Sequence, residues 1–464
     1  MFSSLGSSTL LSVGARERAL FRAWLLVPVL ALALGAGCSD DDGGDGGGGG
    51  GDKPTRDAGA DNTDASTPLD AGAGRDAAMD AARTDAQVSP SDAASPVDGG
   101  TSVTPGDAGK DGGSIITLPP TVSFVYIGGY DSPVRTYALD RSTGNLTEQG
   151  TPLEVGDNPA YITPDATGKR LYVANESYSG SPALSVLSLD ALGLPSTLDR
   201  KVTDDGPVYS SLTPSGKFLL MASYDGGYAA VYAVESDGKL GALVDKKSYA
   251  KPSGAESAQT HSVRVTPDGR FAYVPNKALN SVAQYAIDAV TGKLSELTPP
   301  VVANAGGPRH ITIDNQSAFA YVITELSAQV VAYSIASGGQ LSEIDREDAL
   351  APDVTVADKK GAHVLLAPNG KFVYASVRGN STIASYTVGD DGKLSLLERV
   401  SSGGSTPRNF DIDSSGKFLI VANQASGNDG NVVVFTIGTD GKLTRTGTPV
   451  TGLKTPCAVS IVSH

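Results

Sequence analysis

From Thr121 to the end of the chain, apolar residues come in short runs separated by Asp, Asn, Gly, Pro and Ser, and one arrangement keeps returning. In its clearest copy, Gly306-Gly307-Pro308-Arg309-His310 opens a run containing Ile311 and Ile313. The segment Asp314-Asn315-Gln316-Ser317 interrupts the run, and Phe319-Ala320-Tyr321-Val322 follows, ending at Ile323-Thr324-Glu325-Leu326. Runs rich in Ile, Val, Tyr and Thr with turn-forming residues between them predict two antiparallel strands and a tight turn. The second strand returns to the edge that the first one left, so Arg309 and Glu325 are predicted on one rim of a sheet.

Each copy continues through a gap to a Gly-x-Leu element. The glycines are Gly144, Gly193, Gly238, Gly292, Gly339, Gly392 and Gly441, at intervals of 49, 45, 54, 47, 53 and 49 residues; Gly193 matches more loosely, because Leu194 follows it directly. The turn glycines Gly168, Gly216, Gly269, Gly370 and Gly416 keep similar intervals, with Asn315-Gln316 filling the gap. A repeat of this length with four short strands predicts an all-β fold, a seven-bladed β-propeller. The units lack the 3.6-residue period of helical repeats. Val122 to Ile127 at one end and Ala458-Val459-Ser460-Ile461 at the other are predicted to pair within one blade, closing the ring without an open edge.

Aligning the copies on the residue that opens each second strand (Phe124, Arg170, Phe218, Phe271, Phe319, Phe372 and Phe418) brings out two sets of positions. Six residues further on stand Tyr130, Glu176, Tyr224, Lys277, Glu325, Arg378 and Gln424, all polar or aromatic-polar. Ten residues before the alignment point stand Val208, His261, Arg309, Ala362 and Arg408. Antiparallel pairing puts both sets at the same end of the propeller, converging on the mouth of its central channel. Strand ends face water, so plain solvation accounts for any one polar residue there. The combination of His261, Arg309, Glu325, Arg378 and Arg408 suits an anionic or carbonyl-bearing ligand. Glu176, Lys277, His310, His363 and Gln424 join Arg408 as candidate ligand contacts. A three-histidine metal site from His261, His310 and His363 is the alternative, disfavoured because the neighbouring arginines would repel a divalent cation. No Gly-x-Ser-x-Gly elbow, phosphate-binding loop, HExxH or Cys/His zinc pattern occurs.

Charge then separates the chain into parts. The whole carries a net charge of −15 over 464 residues. Asp40 to Leu118 holds sixteen Asp against Lys53, Arg56, Arg75, Arg83 and Lys110, so most of the acidity lies there. Residues 119–464, the predicted propeller, are only mildly acidic, which argues against a nucleic-acid partner. Residues 39–118, rich in Asp, Ala, Gly and Pro, have too few large apolar side chains to offset their ordering entropy and are expected to be a disordered linker. As a flexible coil of about 80 residues, this segment would span on the order of 50 Å.

Residues 1–38 have the layout of an export signal: Arg16, Arg18 and Arg22 precede an apolar run from Ala23 to Leu34, and small residues lead to Cys38. Leu34-Gly35-Ala36-Gly37-Cys38 resembles the lipobox of bacterial lipoproteins, with Gly35 where Leu usually stands. The resemblance implies lipidation at Cys38 and an exported, membrane-anchored protein of the outer membrane, periplasm or cell surface. An ordinary cleaved signal or an uncleaved anchor is the alternative. Cys457 would then be left alone, so the mature domain is expected to have no intrachain disulfide. A monomer is the default for a closed ring.

Tyr126-Ile127-Gly128-Gly129-Tyr130, Val173-Ala174-Asn175-Glu176, Gln259-Thr260-His261, Gly307-Pro308-Arg309-His310, Thr324-Glu325-Leu326, Arg378-Gly379, Pro407-Arg408 and Ala422-Asn423-Gln424 together resemble the seven-bladed lactonase family. This is the family of 6-phosphogluconolactonase and carboxymuconate-lactonizing enzyme, and the likeness runs through 119–464. It implies lactone hydrolysis, with His261, Arg309, Glu325 and Arg378 as catalytic residues and no cofactor. The family's usual His-x-His is Gln259-Thr260-His261 here, its Asn-Arg-Gly is Val377-Arg378-Gly379, and Ser223 and His363 stand where Asn and Glu are usual. In the mechanism this suggests, His261 takes a proton from water attacking a lactone carbonyl. Arg309 and Arg378 hold the anionic group and the oxyanion, while Glu325 orients an arginine or protonates the leaving oxygen. A non-catalytic propeller binding a sugar acid or a protein, and a structural envelope protein, are the competing readings.

Overall fold

The computed structural model describes residues 122–463, apart from 131, 178–179 and 356–358. The expectations for residues 1–38, Cys38 and 39–118 lie outside the described residues. Among those described, no helix is long and apolar enough to cross a membrane.

The apolar pattern within a unit follows from its layering. Second strands such as Phe319–Thr324, Phe372–Val377 and Phe418–Asn423 are buried along almost their whole length. They lie between neighbouring sheets, and a strand covered on both faces reads as a continuous apolar run rather than an alternation. Fourth strands such as Leu294–Ala303 start on a buried Leu and are otherwise largely exposed. The resulting seven four-stranded antiparallel sheets make the predicted all-β propeller. Six are built from strands consecutive in the chain. The seventh joins Pro456–Ser463 to Ser123–Gly129, Ser132–Leu139 and Leu146–Leu153, with Tyr126 opposite Ser460 and Val125 opposite Ile461. The ring closes as the sequence predicted.

The Gly-x-Leu repeat turns out to be a latch between blades. Gly339 has φ +88°, and a Cβ there would lie 2.4 Å from the ring of Phe271 in the preceding blade. Gly392 sits on Phe319 in the same way. Two residues after the aromatic, a tyrosine donates its hydroxyl to the same glycine's carbonyl: Tyr273 to Gly339 at 2.7 Å and Tyr321 to Gly392 at 3.1 Å. The Leu of the element gives its backbone N–H to a side chain of the preceding blade, as Leu294 does to Asp245 and Leu394 to Asp345, both at 2.8 Å. The hydrophobic clusters span neighbouring blades as well; Tyr321 and Ile323 pack with Val364, Val373 and Ala375.

The first strand of each sheet lies beside the first strands of its neighbours, so these seven line the axis. Their side chains act as struts: Ser262 donates to the Arg309 carbonyl (2.8 Å), Thr312 accepts from the Leu366 N–H (3.3 Å), and Asp411 accepts from the Ile461 N–H (2.8 Å). Several of these strands carry a β-bulge at their second residue. Pro308 pairs with Thr324 but His310 with Ile323, leaving Arg309 as the extra residue. Ala160, Val208 and Arg408 are the extra residues in Pro159–Pro164, Pro207–Leu212 and Pro407–Ile412. A bulge re-aims side chains that strict alternation would send to opposite faces. Arg309 and His310, adjacent in sequence, therefore turn toward the same region of the channel.

Candidate active site

One backbone contact recurs around the rim. The residue just before an axial strand, or before the isolated bridge residue Thr260 in one blade, has positive φ: Asn158 (42°), Gln259 (55°), Gly307 (72°), Lys360 (47°), Thr406 (60°) and Thr455 (40°). Its carbonyl accepts the N–H of the residue leaving the second strand. The pairs are Glu176 to Asn158 (3.0 Å), Lys277 to Gln259 (3.0 Å), Glu325 to Gly307 (2.7 Å), Arg378 to Lys360 (2.9 Å), Gln424 to Thr406 (2.9 Å) and Tyr130 to Thr455 (3.2 Å). Left-handed backbone is unfavourable for non-glycine residues, most of all for β-branched threonine. Its repetition here pins the two predicted sets of residues against each other at one end of the ring.

Glu325 is the centre of the cluster. Its Oε2 lies 3.1 Å from Arg309 Nε, 3.1 Å from Arg378 Nη2 and 3.9 Å from His261 Nε2. Its Oε1 accepts from Lys277 Nζ at 2.8 Å, and the same ammonium donates to the Tyr224 hydroxyl at 2.8 Å. A second group stands beside it, in which Arg408 donates to the Tyr130 hydroxyl and Tyr130 donates to Glu176 Oε2, both at 2.5 Å. The structure thus brings together His261, Arg309, Glu325, Arg378 and Lys277, and separately Arg408 with Glu176. Gln424 is held at the rim by its backbone and is half-buried.

The electrostatics follow from burial and crowding. Burial alone would raise the Glu325 pKa, but Arg309, Arg378, His261 and Lys277 outweigh it and hold the carboxyl well below the usual range. Arg309, only 2% exposed, is lowered to about 9 by burial and by Arg378 and Arg408, and it stays charged at neutral pH. His261 is pushed well below 6.5, mainly by burial and then by Arg309, with Glu325 opposing, so its imidazole is neutral. Its Nδ1 is buried without a hydrogen-bond partner among the described residues. Four cationic side chains (Lys277, Arg309, Arg378, Arg408) face two carboxylates (Glu176, Glu325), and the cluster is positive overall.

Beneath this cluster lies a layer that the sequence reading did not identify. Tyr161 and Tyr209 stack at 3.9 Å, and Tyr209 meets His310 edge-on at 5.0 Å. His310 meets His261 at 5.2 Å and His363 at 4.9 Å, and His363 meets Phe410 at 5.0 Å. His310 and His363 belong to this aromatic floor, buried at 4% and 2% exposure. Of these two candidate ligand contacts, His310 reaches Arg309, and His363 reaches His310. The floor had a legible signal: Tyr161, Tyr209, His310 and His363 each fall nine residues before the alignment point of their hairpins. Among the described residues, no group of three or more His, Cys, Asp or Glu side chains is placed to hold a metal ion.

Comparison with known proteins gives a consistent picture. The family model described as "Lactonase, 7-bladed beta-propeller" matches residues 124–461. A 6-phosphogluconolactonase of Bacillus subtilis is 28% identical over 310 residues, covering 65% of this chain and 87% of that protein. One from Pectobacterium carotovorum is 32% identical over 294 residues, covering 61% of this chain and 82% of that protein. The solved structure of the periplasmic gluconolactonase of Pseudomonas aeruginosa superposes with a TM-score of 0.67 at 26% identity, covering 74% of this chain and 99% of that one.

Proposed function

Because the chain belongs to the seven-bladed β-propeller lactonase family, we propose that it hydrolyses a lactone at the channel mouth through His261, Arg309, Glu325 and Arg378. The observation that carries this reading is the convergence of two guanidinium groups, an ammonium and a neutral imidazole on the single carboxylate of Glu325. Water attacks the lactone carbonyl as His261 takes its proton. The ring C–O bond then breaks, and the imidazolium returns the proton to the leaving oxygen. Arg309 and Arg378 donate to the oxyanion as it forms, in a buried setting where such donors contribute roughly 3–4 kcal/mol each. Of the two roles expected for Glu325, orientation is the one its surroundings support. A carboxyl held ionised by its cationic neighbours cannot serve as the acid. It orients both arginines and stabilises the His261 cation in the transition state.

The substrate is a small lactone, and the positive mouth suits one that carries or generates an anionic group. A screen of aldonolactones with and without phosphate tests this, and His261→Ala should lower turnover by about 10²–10⁴-fold. Unchanged turnover in that variant would remove His261 from the reaction. One observation favours a non-catalytic binder of a sugar acid or protein partner: no third group orients His261, whose Nδ1 has no partner among the described residues. Saturable binding of the same lactones without hydrolysis would establish that reading.

Export is part of the same proposal. It is supported by a similar structure whose protein is described as periplasmic and by the lipobox-like run ending at Cys38. Metabolic labelling with a radioactive fatty acid, compared between the natural chain and Cys38→Ala, tests the lipid anchor. We further propose a monomer with no nucleic-acid partner, which sizing by light scattering and a DNA-binding control would check.

A further inference from the structure

The buried pair His310 and His363 is not used by the mechanism above, yet it touches that mechanism at one atom. Arg309 Nη1 donates to the carbonyl of Ala362 and lies 3.2 Å from His310 Nε2. On the other side of the ring, His310 Nδ1 lies 2.6 Å from His363 Nδ1. We infer that His363 is a positioning residue for Arg309, acting through His310: it fixes the one tautomer of His310 that can accept from the guanidinium.

The chemistry of the donors leads to this. A guanidinium has only N–H donors, so the His310 nitrogen facing it must carry a lone pair. A neutral His310 with a bare Nε2 carries its proton on Nδ1. That proton points at His363 Nδ1, which must then be bare, leaving the His363 proton on Nε2. The His363 ring also lines a cavity of about 180 Å³ below the floor, together with Tyr161, Arg264, Phe410, Asp411 and Ser460. The array therefore has one direction, from Arg309 through His310 to His363.

No other arrangement keeps both contacts. If His310 held its proton on Nε2, an N–H would face the Arg309 N–H groups. If His363 held its proton on Nδ1, two N–H groups would meet at 2.6 Å. Adding a proton to the pair forces one of these collisions. Burial and the charge of Arg309 oppose that proton at both rings, with Arg264 adding to the effect at His363 and Arg408 at His310. His261, whose ring also touches His310, has no such lock: its Nδ1 is buried without a partner among the described residues.

The tautomers do not depend on the lactonase reading; the kinetic consequence rests on it. In the full-length protein with ¹⁵N-labelled histidine, His310 should show a protonated Nδ1 and bare Nε2, and His363 the reverse. Assignment follows from the single variants. Both rings protonated on Nε2, or rapid averaging of tautomers, would overturn the proposal. His363→Asn offers a side-chain oxygen near the lost Nδ1 and should keep kcat within about twofold. His363→Phe fills the space without an acceptor and should lower kcat about tenfold with KM little changed, the size expected for one mis-set hydrogen bond in the transition state. Equal losses in the two variants would mean that His363 only fills space. If the natural protein hydrolyses no lactone, the enzymatic reading fails while the nitrogen spectra still decide the tautomers.

Discussion

Acidification from pH 7.5 to 5.5 should weaken the fold far more than its surface charges would suggest. His261, His310 and His363 are all held well below the ordinary histidine value of 6.5, chiefly by burial. In the unfolded chain they take up protons below about pH 6.5. Their neutral burial is therefore fully compatible with folding above that pH and becomes a growing cost as the pH falls below it. One unit under the unfolded value, each imidazole costs about 1.4 kcal/mol, and three together cost about 4. Asp411 works in the opposite sense: burial raises its carboxyl to about 6, so the folded state gains a proton that the unfolded state lacks. At pH 5.5 that returns roughly 0.8 kcal/mol. Asp225, also raised by burial and acidic neighbours, adds to the offset. Glu325 enters only as the pH approaches 4.5, because its depressed carboxyl matches the unfolded one above that. The net loss is about 3 kcal/mol, a large part of an ordinary folding free energy. Urea midpoints at pH 7.5, 6.5 and 5.5 measure it, and a shift of roughly 1 M is expected for a domain of this size. A midpoint that stays level over that range would show that the imidazoles accept protons within the fold, and the argument for three neutral rings would fail.

Glu325→Gln should destabilise the domain by about 3–5 kcal/mol, because Arg309, Arg378 and Lys277 would be left facing one another without their counter-charge; calorimetry reads the loss. Gly392→Ala should lower the melting temperature by several degrees. The φ of 78° is costly for alanine by roughly 1–2 kcal/mol, and the added Cβ would meet the Phe319 ring at 2.2 Å. Cys457, buried with its thiol pushed up to about 12, should resist thiol reagents in the native protein and react only on unfolding.

The fold was legible because its signals are local and repeated. Short apolar runs, turn residues and the spacing of Gly144 through Gly441 are properties of neighbouring residues, and the latch explains why the glycines recur. Gly339 and Gly392 cannot bear a side chain where the Phe271 and Phe319 rings lie. The sequence displays the glycine and the aromatic but not the contact between them, since their separation of 68 and 73 residues crosses from one blade to the next. Even so, periodic spacing was enough to count the blades and to predict the strand pairing that closes the ring.

The site was only half legible, and the bulge is the reason. Alternation predicts that Arg309 and His310 face opposite sides of their strand, so a reading by period assigns one to the rim and leaves the other to contact ligand or metal. The extra residue between Pro308 and His310 cancels that inference, and no composition rule marks it. Once the bulge is present, guanidinium and imidazole share one region of the channel, and His310 must accept from Arg309 rather than compete with it. His363 then inherits its place from His310 at 2.6 Å. A reading that places the three histidines around a cation gives each an outward lone pair. The bulged strand instead spends two of those lone pairs inside the protein, on an arginine and on each other. The polarity at this end of the ring is thus divided into an upper layer of charged side chains gathered on Glu325 and a lower layer of buried rings that touches it at Arg309.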